Sequence, residues 1–314
     1  MISFVIPSYN SQSFITDAID SIFASSKSYD VEVIVVDDCS TDNTLHVLDK
    51  YSDSRLRVYS LESNKGPSYA RNVGCSHALG DYVYFLDSDD IVSENLVSEI
   101  VNVIKTAKAP IDFICVRIDF CTRDLTPLSI NKTFGNKDII ELNRFSYHEG
   151  LLENSFLFTA SSTCVKRSVI ESLGKFDEAS KFTEDAEFWS RLSFNHEGVL
   201  INTVLAYYRV VENSLSSVFV KTMPETPILL LTLQKQKHMT KNDSVNKSFY
   251  LMLFKYLVMA KSSNSMDVYR ALVSVYSAEK NNLRHQFLFA IINYLPKSFF
   301  ARISNFRRKL RFRK

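Results

Sequence analysis

Apolar residues in the first hundred positions fall into short continuous runs separated by segments with apolar positions every three or four residues. Residues 2–6, 31–36 and 82–86 form the runs, and 56–60 reads as a further strand. Their length and β-branched content predict buried strands. Between them, Ile15, Ala18, Ile19, Ile22 and Phe23 recur at helical spacing. Leu45, Val47, Leu48 and Tyr51 do the same behind Ser40 or Thr41 as N-cap, and Tyr69, Ala70, Val73 and Ala78 do so between the Gly66-Pro67 turn and Gly80. Leu96, Val97, Ile100, Val101 and Ile104 predict a further helix before a strand over 112–119. The alternation predicts an α/β fold with a mostly parallel, doubly wound, Rossmann-like sheet.

From Cys121 to Gly150 the pattern is too mixed to order. Beyond it we expect a strand over 157–165, a short helix over 168–173, a firmer helix over 184–194 and a strand over 199–211. All seven glycines lie between Gly66 and Gly198. The glycine-free remainder reads as a helical extension, with helices over 249–259, 268–278 and 287–295.

Composition narrows the class. The chain of 314 residues, 46% of them apolar, is long enough for a large domain plus an extension. Five cysteines form an odd set without a C-x-x-C pair, which argues against a disulfide framework or a zinc site and fits a reducing cytoplasm. No secretion leader and no apolar run of membrane-spanning length is visible. The net charge of +2 hides an asymmetry: residues 297–314 carry eight Lys and Arg and no acid, leaving −6 on the rest. That distribution suggests a local anionic partner rather than general nucleic-acid binding.

Acids follow two of the strands, as Asp37-Asp38 and Asp87-Ser88-Asp89-Asp90, and Glu184-Asp185 opens the later helix. Open α/β sheets bind ligands at the C-terminal ends of their strands. No G-x-G-x-x-G follows the first strand, where Pro7-Ser8-Tyr9-Asn10 stands instead, so a dinucleotide oxidoreductase is disfavoured. The plain alternative for each acid cluster is capping of a neighbouring helix.

Four segments occur in a telling order: Phe4 to Asn10, Val35 to Asp42, Asn64 to Gly74 and Phe85 to Asp90. With Leu173 to Glu178 and Thr183 to Trp189, this set closely resembles family-2 glycosyltransferases of the GT-A fold, over about residues 1–215. The resemblance implies a metal-dependent, inverting transfer from a nucleotide-sugar, a UDP-sugar above all, to a glycan or lipid-linked glycan in bacterial surface-polysaccharide synthesis. It implies that Asp89 binds Mn²⁺ or Mg²⁺ with Asp87 at the metal or the donor ribose, that Pro7, Tyr9, Asp38 and Arg71 hold the nucleotide, and that Asp185 is the general base with Glu184 orienting it. The chain departs from the family at Tyr208-Arg209-Val210-Val211, where many relatives carry a histidine two residues after the arginine. Arg209 then reads equally as a diphosphate contact or a structural ion pair, and Phe188 and Trp189 as core.

The expected division is a nucleotide-sugar-binding half over 1–105, an acceptor-binding half over 106–215 and a helical extension over 216–314. Phe299, Ile303, Phe306 and Leu310 recur at helical spacing among the tail cations. This predicts a basic amphipathic segment on the inner face of the cell membrane, with a frayed terminus or an oligomer contact as alternatives. A non-catalytic nucleotide-sugar-binding or scaffold protein remains the other functional class.

Overall fold

The computed structural model describes residues 1–128, 137–153, 157–180, 183–210, 227–279 and 283–296. The chain divides into two compact units, Met1–Val211 and Glu212–Lys314.

The first unit is built on one mixed sheet. Strands β1 (Ile2–Ser8), β2 (Val31–Asp37), β3 (Leu56–Ser60) and β4 (Tyr82–Phe85) alternate with helices α1 (Ile15–Ser26), α2 (Thr44–Leu48) and α3 (Pro67–His77). All four strands are parallel, in the order β3-β2-β1-β4. The expected wound sheet is therefore present here. Ser8 lies opposite Asp37, so the loops after β1 and β2 leave the sheet side by side. Continuous apolar runs suit strands covered on both faces, and every residue of β2 and β4 is buried. Gly74 lets α3 lie directly on β1, because a Cβ there would sit 2.4 Å from a methyl of Val5.

The second half of the sheet is mixed. After β5 (Ile91–Val92) and α4 (Leu96–Thr106) come β6 (Phe113–Cys121), β7 (Pro127–Leu128), β8 (Ile139–Leu142), α5 (Ser146–Glu153), β9 (Thr163–Lys166), α6 (Arg167–Leu173), α7 (Glu184–Asn195) and β10 (Gly198–Arg209). β9 runs antiparallel to both β4 and β6, and β10 is parallel to β6. Two reversals restore the original direction. The C-terminal ends of β6 and β10 thus share the sheet edge of Asp37 and the Asp87 loop.

Three expectations change. The strand expected from 157 is short, because a 3-10 turn closed by reciprocal Thr159 and Ser162 bonds occupies Ala160–Ser162 first. Neither Ser40 nor Thr41 caps α2; Asn43 holds that position, and Asp42 accepts the N–H of Thr44 at 3.0 Å. The Asp87–Asp90 run does not cap α4 either, since that helix starts only at Leu96, behind Asn95.

In the second unit, helices Ile228–Met239, Asp243–Ser262, Met266–Ala278 and Leu283–Tyr294 bury Leu230, Leu233, Phe249, Leu253, Leu257 and Leu272. The first of these carries no clear amphipathic period and escaped the sequence reading. No helix among the described residues is long and apolar enough to cross a membrane. The basic segment 297–314 lies outside the described residues.

Candidate active site

The loops after β1 and β2 are locked to each other by side-chain bonds to backbone. Asn10, at φ +51°, accepts the N–H groups of Thr41 and Asp42, at 2.8 and 3.3 Å. Asp37 is fully buried and holds Ser40 through both its N–H (3.0 Å) and its hydroxyl (2.5 Å). Asp38 accepts the N–H groups of Lys65 and Gly66, each at 2.7 Å. Gly66 stands at φ +88°, a conformation that glycine adopts without strain, and it launches α3. Asp38 therefore clips the β2 loop to the start of α3. Each of its oxygens keeps a further lone pair for a donor group. Pro7 is half-buried on β1, and Tyr9, 49% exposed, stands on the rim beside it.

The acid loop after β4 contains three carboxylates with different surroundings. Asp90 is buried and structural: it accepts the Ser161 hydroxyl at 2.5 Å and the N–H of Arg209 at 2.8 Å. Burial, with Asp89 and Asp87 beside it, pushes its pKa well up. Asp87 and Asp89 are only half-buried. Burial and the charge of Asp87 raise Asp89 to about 6, against a smaller pull from Arg209. The N–H of Asp87 donates to the Ser161 hydroxyl at 3.2 Å. Ser161 was not legible as a site residue, because a 3-10 turn inside a weakly patterned stretch gives no periodic signal.

Arg71 joins this loop to the start of α7. Its Nη2 donates to Asp87 at 2.8 Å and its Nη1 to Glu184 at 3.0 Å. The guanidinium is buried, its Nε has no hydrogen-bond partner, and it lies against the Phe176 ring. Burial opposes its charge, but Asp87, Glu184 and Asp185 outweigh that and raise its pKa. Both terminal nitrogens thus point at carboxylates of the cluster.

The next residue fixes the same joint. Asn72 donates to the carbonyl of Phe176 at 3.0 Å and accepts its N–H at 2.9 Å. Phe176 stacks on Phe188 at 4.0 Å and meets Trp189 edge-on, with Phe85 against all three. Phe188 and Trp189 are fully buried, as core. This aromatic packing sets α7 so that Glu184 and Asp185 open toward the acid loop.

Asp185 lies in the first turn of α7 and accepts the N–H of Ala186 at 2.7 Å. Burial first, then the charges of Glu184 and Asp87, raise its pKa to about 7, with Arg71 pulling the other way. Asp87 therefore acts on both Asp89 and Asp185. The acids that sequence separates by a hundred residues share one electrostatic cluster. Arg209 is an ion pair with Asp17 at 2.9 Å and covers the Phe14 ring, so the structural reading of this residue holds.

Among the described residues, no group of three or more His, Cys, Asp or Glu is arranged to hold a metal. Asp87 and Asp89 fit a different kind of site, in which one or two carboxylates share a hard cation with substrate phosphates. The pKa of Asp89 is raised first by burial and then by the charge of Asp87, and a cation held between the two carboxylates would offset both effects.

The family model described as glycosyl transferase family 2 matches residues 3–174. The chain is 31% identical to the putative teichuronic acid biosynthesis glycosyltransferase TuaG of Bacillus subtilis, over 69% of the chain and 82% of TuaG. It is 29% identical to the poly(ribitol-phosphate) beta-N-acetylglucosaminyltransferase TarS of Staphylococcus aureus, over 66% of the chain and 35% of TarS. The crystal structure of TarS 1-349 in complex with UDP-GlcNAc matches with a TM-score of 0.59 at 18% identity, covering 88% of the chain and 91% of that structure. The mannosyltransferase PcManGT of Pyrobaculum calidifontis, in complex with GDP-Man and Mn²⁺, matches with a TM-score of 0.57 at 17% identity, covering 97% and 84%. The chain spans between 23% and 35% of the length of the longer curated relatives it matches.

Proposed function

The chain belongs to glycosyl transferase family 2, and on that premise we propose that it transfers a sugar, with inversion, from a UDP-sugar to a glycan or lipid-linked glycan acceptor in surface-polysaccharide synthesis. Residues 1–105 would bind the donor and residues 106–215 the acceptor. Pro7 and Tyr9 would lie along the base, and Asp38 would accept its N3–H on a remaining lone pair. The structure of TarS with UDP-GlcNAc supports a uridine donor.

Asp87 and Asp89 would hold Mn²⁺ or Mg²⁺, whose charge offsets that of the departing diphosphate. The acceptor hydroxyl attacks the anomeric carbon, the bond from that carbon to the diphosphate oxygen breaks, and Asp185 takes the hydroxyl proton. Glu184, held by Arg71, would fix the orientation of the helix start that presents Asp185. We further propose that the basic segment 297–314 holds the protein on the inner face of the membrane, where a lipid-linked acceptor would be met.

The Arg71 bridge between Asp87 and Glu184 supports this reading, because it ties the loop of the proposed cation ligands to the helix start that carries the proposed base. The test is Asp185→Asn, assayed with a panel of UDP-sugars and Mn²⁺. Transfer and donor hydrolysis should fall by roughly 10²–10⁴-fold while UDP binding is kept. Indifference of the wild-type protein to every donor would favour the scaffold reading.

A further inference from the structure

The last described helix, Leu283–Tyr294, is apolar on two faces. Its inner face is docked: His285 stacks on Tyr250 at 3.7 Å, Phe289 stacks on Tyr276 at 4.0 Å, and Ile292 is buried. Lys261 donates to the carbonyls of Ile292 and Asn293 at 2.5 and 2.6 Å, tying down the end of the helix. Leu283, Phe287, Ile291 and Tyr294 follow a spacing of four, four and three, which places them on the opposite face. Leu283 and Tyr294 are each 84% exposed, and Phe287 is 67% exposed. An apolar helix face is normally turned toward a core. Here Leu283, Phe287 and Tyr294 are bare, with Ile291 half-buried.

The charge carried by this stretch of the sequence selects the occupant. From residue 280 to 314 the sequence contains ten Lys and Arg and no Asp or Glu. Were the basic tail to fold back on the helix, it would meet no acid there and gain no charge attraction. A second copy of the same face would bring like charges together. An anionic lipid surface would attract every cation and accept every apolar side chain. At 12 residues the helix is about 18 Å long, well short of a span, so it would lie in the headgroup plane.

We propose that the Leu283–Phe287–Ile291–Tyr294 face is a docking surface that inserts into the headgroup region of an anionic leaflet. It rests on the reading that the protein works at a membrane, and adds that a folded apolar helix face, not the basic tail alone, makes the attachment. The experiment is co-sedimentation of the full chain with phosphatidylcholine vesicles, with and without phosphatidylglycerol, in wild type, in Leu283→Ser/Phe287→Ser and in a tail variant with Arg307, Arg308, Lys309 and Arg311 changed to Ser. Wild type should sediment only with the anionic vesicles, and the helix variant at least tenfold more weakly. Both altered side chains are exposed, so its unfolding temperature should match wild type. Phe287→Trp should shift its emission to the blue on binding. Loss of sedimentation in the tail variant alone, with no blue shift, overturns this inference and leaves the tail attachment standing. A wild type that ignores both vesicles overturns both, without touching donor binding, which is measured in solution. A dimer that dissociates on Leu283→Ser/Phe287→Ser would assign the face to self-association and overturn the lipid assignment.

Discussion

Asp185, the proposed base, holds a proton more tightly than an ordinary aspartate does. Burial and the neighbouring acids raise its pKa to about 7, and a base works best with a pKa near the operating pH. It accepts a proton only when ionised. We therefore expect kcat/KM to rise with pH along an acidic limb centred near 7, as a pH–rate profile with a saturating UDP-sugar would show. An acidic limb that stays unchanged in Asp185→Asn would mean that another group takes the proton. Raised pKa values also have a sign for stability: the folded state disfavours the ionised form, so stability is lost as pH climbs from about 4 through 7. Asp185→Asn should then be more stable than wild type by ~1–3 kcal/mol at pH 8, with the difference fading toward pH 4.

At the scale of elements, the site depends on a joint between α3, the loop after β4 and the start of α7. Arg71 supplies its two ion pairs, Asn72 its backbone bonds, and Phe176 its packing. Removing the arginine leaves Asp87 and Glu184 facing each other without a cation. Arg71→Met should cost about 3–5 kcal/mol in urea unfolding and reduce transfer. Arg71→Lys should recover little of either, because a lysine presents one charged nitrogen where two separated donors are needed. The sequence disclosed the members of this joint, since apolar runs and acids at strand ends are local patterns. It did not disclose their pairing. That Arg71 faces carboxylates, that Ser161 supports the acid loop and that β9 reverses direction are products of long-range packing, which no window of a dozen residues records.

For the molecule as a whole, the sequence made readable three of the four described helices of the second unit and half of the sheet in the first unit. The parallel half of its sheet follows from alternating runs of apolar residues, whereas the mixed half is assembled from strands of two to twelve residues whose order periodicity cannot give. Donor binding should stabilise this unit as ligand binding does generally. At a donor concentration a hundred times Kd the gain is about 2.7 kcal/mol, or several degrees in Tm for a unit of this size. We expect that shift with UDP or a UDP-sugar plus Mn²⁺, and a much smaller one after EDTA. An equal shift in EDTA would argue that Asp87 and Asp89 hold no cation.

The Arg71 bridge also bears on how such enzymes can be recombined. A chimera that takes residues 1–105 from a relative without an arginine at this position would strand Glu184 in the retained half as a buried acid with no counter-ion. Exchange of the first half should therefore succeed only between parents that keep both ends of this bridge. Natural shuffling of such halves would be confined to the same set of partners.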